Sequence, residues 1–97
     1  MTTYRLARRA RGDVLRIWLY IAEDNERAAD RFIDLLTHHF ELSGENPRAG
    51  RRRDELRRGY RSFPVGDYLI LYRVIDSGVC VMNVVHARRD LEALFGL

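Results

Sequence analysis

The sequence has 97 residues, the size of one domain. With 46% hydrophobic and 32% charged residues it has ordinary globular composition, which argues against a disordered chain, and no stretch is long and apolar enough to span a membrane. All 17 basic residues are arginine, and they are unevenly placed: residues 1–47 hold 7 Arg against 8 acids, residues 48–97 hold 10 Arg against 6 acids. The second half is the one suited to an anionic partner. A domain this small is marginal alone, so a partner that covers apolar surface would add to its stability.

Thr2 to Leu6 reads as a short strand, with Tyr4 and Leu6 alternating against Thr3 and Arg5. A helix follows from about Arg9 to Glu23, its apolar stripe drawn by Ala10, Val14, Ile17, Trp18 and Ile21. Asp24-Asn25 interrupts the pattern and offers a cap for the next helix. That helix runs from about Glu26 to Leu42 on Ala28, Ala29, Phe32, Ile33, Leu36 and Phe40. So short a link makes the two helices an antiparallel hairpin, and the small Ala28 and Ala29 allow close approach. Trp18, Phe32 and Leu36 are expected in the core. Leu15, Leu19 and Leu35 fall off the main stripe and are candidates for partner contact.

Residues 43–59 are punctuated by Gly44, Asn46, Pro47, Gly50 and Gly59, with room for a helical turn around Arg53–Arg58. Three strands close the chain: Tyr60–Val65, Tyr68–Ile75 and Val79–His86, with turns at Gly66-Asp67 and Asp76-Ser77-Gly78. The last two are apolar on both faces and belong at the centre of a sheet. Asp90 is placed to cap a short terminal helix containing Leu91, Leu94 and Phe95. The order β-α-α-β-β-β with a terminal helical turn predicts a single α+β domain over 1–97, a helical hairpin packed on an antiparallel sheet.

Chemistry is sparse. His38, His39 and His86 lack ligand spacing, so neither a metal nor another cofactor is expected. The single cysteine, Cys80, reads as a small buried hydrophobe in a chain suited to a reducing cytosol. The N-terminus lacks the apolar core of a signal peptide, which points to a cytoplasmic protein. Ser62 and His86 are candidates to meet, though no nucleophile turn marks them. The strongest local feature is Arg48, Arg51, Arg52, Arg53, Arg57, Arg58 and Arg61 within 14 residues. It is either a solvated face or a site for phosphates or an acidic protein segment, and charge alone leaves both open. A second cluster, His86-Ala87-Arg88-Arg89-Asp90, leaves the last strand. If Arg61 and Arg73 share its face, the set His86, Arg61, Arg73 and Arg88 suits RNA cleavage, a proton carrier beside cations for a charged phosphorane. Residue by residue the cluster reads better as an exit-strand histidine held by a backbone bond, with Asp90 capping a helix and pairing with an arginine.

Four stretches together resemble the ParE/RelE superfamily of bacterial type II toxins, the ParE branch above all. They are Tyr4-Arg5-Leu6 leading through Ala10–Val14 into Ile17–Ala22; Ala28–Ile33; Pro47–Arg51 with Leu56, Arg61–Val65 and Tyr68–Arg73; and Val85–Leu91. The resemblance implies a toxin neutralised by a ParD-like antitoxin, with DNA gyrase as the target and operator DNA reached only through the antitoxin. It implies a non-enzymatic poison, with a RelE-type ribosome-dependent endoribonuclease as the alternative. The absence of a tyrosine after Tyr72 counts against that alternative. On this reading Leu15, Leu19, Arg51, Arg58, Arg61 and Tyr72 meet the antitoxin, and Arg88, Arg89 and Phe95 meet the target.

Overall fold

A computed structural model describes residues 3–96; Thr2, expected to open the first strand, lies outside them. The elements are β1 (Tyr4–Leu6), α1 (Arg8–Ala22), α2 (Glu26–Glu45), β2 (Arg51–Arg52), β3 (Tyr60–Val65), β4 (Tyr68–Ile75), β5 (Gly78–His86) and α3 (Leu91–Phe95). The five strands form one sheet in the order β1-β5-β4-β3-β2. The predicted α+β architecture is present, with two departures. The sheet is mixed, because β1 runs parallel to β5. Parallel neighbours require a long crossover, and the hairpin and the intervening strands supply it. In addition, β2 pairs with β3 inside the stretch read as irregular. Both its residues are exposed arginines, so no hydrophobic alternation announces it.

The helices follow their stripes. Asn25 caps α2, its Oδ1 accepting from the Ala28 N–H at 3.0 Å. α2 runs three residues past the expected Leu42, and Ser43 and Gly44 are buried. Gly44 is not a breaker here: a Cβ at that position would overlap Thr3, so the glycine permits the approach of the chain before β1. Of the expected core side chains, Leu36 is fully buried and Phe32 packs half-buried on Tyr68. Trp18 is half-buried, its indole N–H donating to Asp30 Oδ1 at 2.8 Å and tying α1 to α2.

Alternation divides the sheet between two cores. Val65, Ile70, Tyr72, Val79, Val81 and Val84 face the hairpin and pack on Ala10, Ile17, Leu36 and Phe40. Tyr60, Leu71 and Val85 face the other way, under Leu91, Leu94 and Phe95 of α3. This accounts for strands apolar on both faces. Cys80 is half-buried rather than buried: it is flanked by Arg5 and Arg73 across the strands, away from the hairpin. At the far edge Pro64 is exposed, two residues beyond those that β2 covers.

A bulge in β5 sets the rest. Leu71 pairs with Asn83 but Tyr72 pairs with Val81, leaving Met82 extra. Past the bulge the outward N–H groups belong to Val84 and His86, and β1 has already ended, its last bond running from Ala7 N to Val81 O. Two carboxylates replace the missing strand. Asp13 Oδ2 accepts from Val84 N at 2.9 Å, and Asp90 Oδ2 accepts from His86 N at 3.0 Å. Asp90 therefore makes no side-chain cap to α3, contrary to the sequence expectation.

Tyr72 is fully buried. Its hydroxyl accepts from Gly50 N at 2.9 Å and donates to Pro47 O at 2.8 Å, pinning the loop that leads into β2. Replacing Tyr72 with Phe leaves both backbone groups without that partner. We expect a loss of about 2 kcal/mol in urea unfolding, with the loop amides around Gly50 exchanging faster than those of β4.

Candidate functional site

Three surfaces carry the residues singled out in the sequence. The first is the outer face of the hairpin. Leu15 (58% exposed), Leu19 (51%) and Leu35 (44%) lie on it, with Tyr20 (61%) beside them. Leu15 and Leu19 are one helical turn apart and form one ridge. These large apolar side chains are in water while the stripe beneath them, Ala10 and Ile17, is buried.

The second surface is the edge built by the arginine run, much of which is spent on the fold. The Nε and Nη2 atoms of Arg52 donate to Asp54 Oδ2 at 3.2 and 2.8 Å. Arg53 donates to Glu55 at 2.9 Å and to Ser62 Oγ at 3.2 Å. Arg61 donates to the carbonyls of Arg48 (3.1 Å) and Gly50 (2.8 Å), and Arg57 lies 5.5 Å over the Phe95 ring. Among the described residues, Arg48, Arg51 and Arg58 make no such side-chain bond and remain exposed. The Asp54 carboxylate accepts from Gly59 N at 2.8 Å, and this bond, aided by Arg52, holds its pKa below the ordinary value. It fixes the helical turn expected in this segment, where Leu56 N and Arg57 N donate to Arg53 O.

The antitoxin set is thus divided. Leu15, Leu19, Arg51 and Arg58 are on the surface. Arg61 is half-buried with its donors committed to the loop. Tyr72 is fully buried, with its hydroxyl bonded to Gly50 and Pro47; burial pushes its phenol up. Periodicity put Tyr72 on a central strand but did not say which polar atoms its hydroxyl would meet.

The third surface is the exit from β5. Arg88 and Arg89 are exposed. The Arg89 guanidinium lies 5.6 Å over the Tyr20 ring and 3.6 Å from Asp90. His86 Nδ1 accepts from the backbone N–H groups of Arg88 (3.3 Å) and Arg89 (3.2 Å), while its ring meets the Tyr68 ring edge-on. Phe95 is half-buried against Tyr60, part of the second core more than of the surface.

The RNA-cleaving set does not assemble. His86 pairs with Tyr68, whereas Arg73 pairs with Cys80, five residues along β4 and about 17 Å away. Arg61 is opposite Tyr72 and Arg73 opposite Tyr60, so the two leave the sheet on opposite faces. Both reach one shallow depression with Arg48 and Arg52, but His86 is not there. Ser62 pairs with Leu71 and is held by Arg53, away from His86. Sequence reasoning missed Asp13, a carboxylate buried on α1's inner stripe; a charge among apolar positions was the available signal.

Residues 4–91 match the family described as the ParE toxin of type II toxin-antitoxin system, parDE. The chain belongs to this ParE family. It is 35% identical over 98 residues to Toxin ParE1 of Caulobacter vibrioides, covering 99% of this chain and 100% of the relative. It is 37% identical over 65 residues to Toxin ParE1 of Mycobacterium tuberculosis (strain ATCC 25618 / H37Rv); that match spans only 66% of either chain. Its fold is similar to that of a chain of the chromosomal ParDE TA system from P. aeruginosa, with a TM-score of 0.75 at 16% identity, covering 91% of this chain and 98% of the other. The match runs from β1 to the start of α3, so all three surfaces lie largely within the ParE domain. Among the described residues, no helix is long and apolar enough to cross a membrane.

The Asp54–Gly59 bond yields a direct test. The folded turn lowers the carboxyl's pKa, so the bond is intact at neutral pH and is lost only as pH falls through the lowered value. The Gly59 amide proton should titrate with a midpoint below that of an unperturbed aspartate, followed by NMR. In Asp54→Asn that titration should vanish.

Proposed function

We propose that this ParE-family chain is the toxin of a type II toxin-antitoxin pair, held inactive by a ParD-like antitoxin, and that its cellular target is DNA gyrase. The observation that carries the antitoxin reading is the row of exposed leucines on the hairpin. Leu15, Leu19 and Leu35 are each at least 44% exposed, and the Leu15–Leu19 ridge is apolar surface of the kind that an amphipathic helix covers. Arg51 and Arg58, exposed at the sheet edge, extend that contact to acidic residues of the same partner. The antitoxin carries the operator-DNA contact; the toxin reaches DNA only through it.

The gyrase reading rests on family membership together with the dispersal of the RNA-cleaving set. A group that binds two backbone amides through Nδ1 and stands about 17 Å from its nearest expected strand cation is placed to shape a turn. Arg88 and Arg89, exposed on that turn, are the target contacts in this reading, together with Phe95, half-buried on α3 beside Tyr60 and Arg57. The chemistry is then binding rather than catalysis, needing no cofactor and acting in the cytoplasm.

Two measurements check these readings. The purified chain should inhibit gyrase supercoiling of relaxed plasmid, and adding the antitoxin should relieve it; intact supercoiling beside ribosome-dependent mRNA cleavage would reverse the assignment. Replacing both Leu15 and Leu19 with Glu should weaken antitoxin binding by about 100-fold or more, since each buried leucine contributes roughly 1.5–3 kcal/mol. The double variant should keep its toxicity, now with poor relief by the antitoxin.

A further inference from the structure

A cavity of about 590 Å³ lies between α1 and the turn from β5 into α3. Arg9 and Arg16 approach it from α1, and Arg89 from the opposite wall. Each of these side chains is more than half exposed. The two carboxylates in its lining are Asp13 and Asp90. Each has already given Oδ2 to a β5 amide. Only their Oδ1 atoms serve the arginines: Asp13 Oδ1 takes a bond from Arg16 and stands 3.9 Å from Arg9, and Asp90 Oδ1 stands 3.6 Å from Arg89. Three guanidiniums face two half-committed carboxylates. The cavity keeps a net single positive charge and many unused N–H donors, in forks whose geometry fits a carboxylate.

The guanidiniums are also positioned. Asp13, nine-tenths buried, orients Arg16 from below, and Tyr20 lies under Arg89. The floor is apolar, with Ile17, Val84 and Leu94. This lining disfavours a polynucleotide backbone, which would bring charge and no apolar surface. It suits a peptide that carries one acidic side chain beside aliphatic ones. The exposed ridge runs into the cavity: Leu19 is three residues from Arg16, and Tyr20 is four, so all stand within about one helical turn of 5.4 Å.

We infer that this cavity binds an aspartate or glutamate side chain of the antitoxin, on the segment that continues beyond the contact with Leu15 and Leu19. The inference rests on the proposed antitoxin reading and adds a defined anionic subsite to it. Arg89 then serves the antitoxin directly. Occupying the cavity takes a proposed target contact out of solution, so neutralisation works through competition for one guanidinium.

The test measures the affinity of the full-length cognate antitoxin for the full chain between 50 and about 500 mM salt, a range over which surface charge interactions are strongly screened. The variants are Arg9→Gln/Arg89→Gln, Arg16→Gln and Leu15→Glu/Leu19→Glu, each checked for an unchanged melting profile. Arg9 stands 3.9 Å from Asp13 without a hydrogen bond to it, and Arg89 pairs with Asp90 instead, so their double variant leaves the Arg16–Asp13 bond in place and stands if Arg16→Gln fails to fold. The expected result is a loss of at least tenfold at low salt for the arginine variants, with a flatter salt dependence than the parent chain. An antitoxin acid-to-amide substitution should then cost nothing further in the arginine variant. Wild-type affinity and salt slope in both arginine variants, alongside failure of the leucine variant, would overturn the cavity's role and leave the antitoxin reading standing. Failure of none of the variants would overturn both. Loss of single-stranded oligonucleotide binding without loss of antitoxin affinity would assign the cavity to nucleic acid and overturn the inference.

Discussion

The uncovered edge of β5 is the constraint around which the molecule is arranged. β5 contributes Val79, Val81 and Val84 to one core and Val85 to the other. It can do so only as an interior strand, yet β1 accompanies it no further than Val81. An outward-facing backbone N–H near the protein interior requires a partner. The bulge at Met82 redirects those groups to Val84 and His86, where Asp13 and Asp90 meet them. These bonds anchor α1 on the sheet and fold the chain back after β5. The same carboxylates, through their second oxygens, set the arginines around the cavity between α1 and α3. Backbone satisfaction and the placement of surface charge are thus one arrangement.

Much of the fold was legible because it is written in hydrophobic period. The stripes of Ala10, Val14 and Ile17 and of Ala29, Leu36 and Phe40 located α1 and α2 to within a few residues, and the runs around Ile70 and Val81 located the paired central strands. What stayed hidden depends on contacts distant in sequence. The two arginines of β2 have no pattern of their own and become a strand because β3 lies beside them. Gly44 looks like punctuation until Thr3 is found where its Cβ would be. Asp90 has the composition of a helix cap, but the amide of His86 is a nearer claimant.

The candidate surfaces were legible to a lesser degree, for a related reason. Leu15, Leu19 and Leu35 were identifiable as lying off the stripe, since exposure on a helix follows from angle alone. Arginines carry no such marker. Arg51 and Arg61 look alike in sequence, yet one is in water and the other bonds two loop carbonyls. Tyr72 shows the same ambiguity from the opposite side, a residue with a polar tip whose partners, Gly50 and Pro47, are more than twenty positions away. The expected alignment of Arg61, Arg73 and His86 failed on strand register, which a sequence does not display.

The exposed Pro64 has a bearing on life without a partner. Beyond the two residues of β2, the rim of β3 would offer a template for pairing with another copy. A proline there supplies no N–H to such a pairing, and the covering strand itself consists of two arginines that repel their like. On the opposite rim β1 spans three of the described residues, Tyr4–Leu6. Both borders of the sheet are thereby poor at self-association. Such borders disfavour edge-to-edge pairing between copies of the chain.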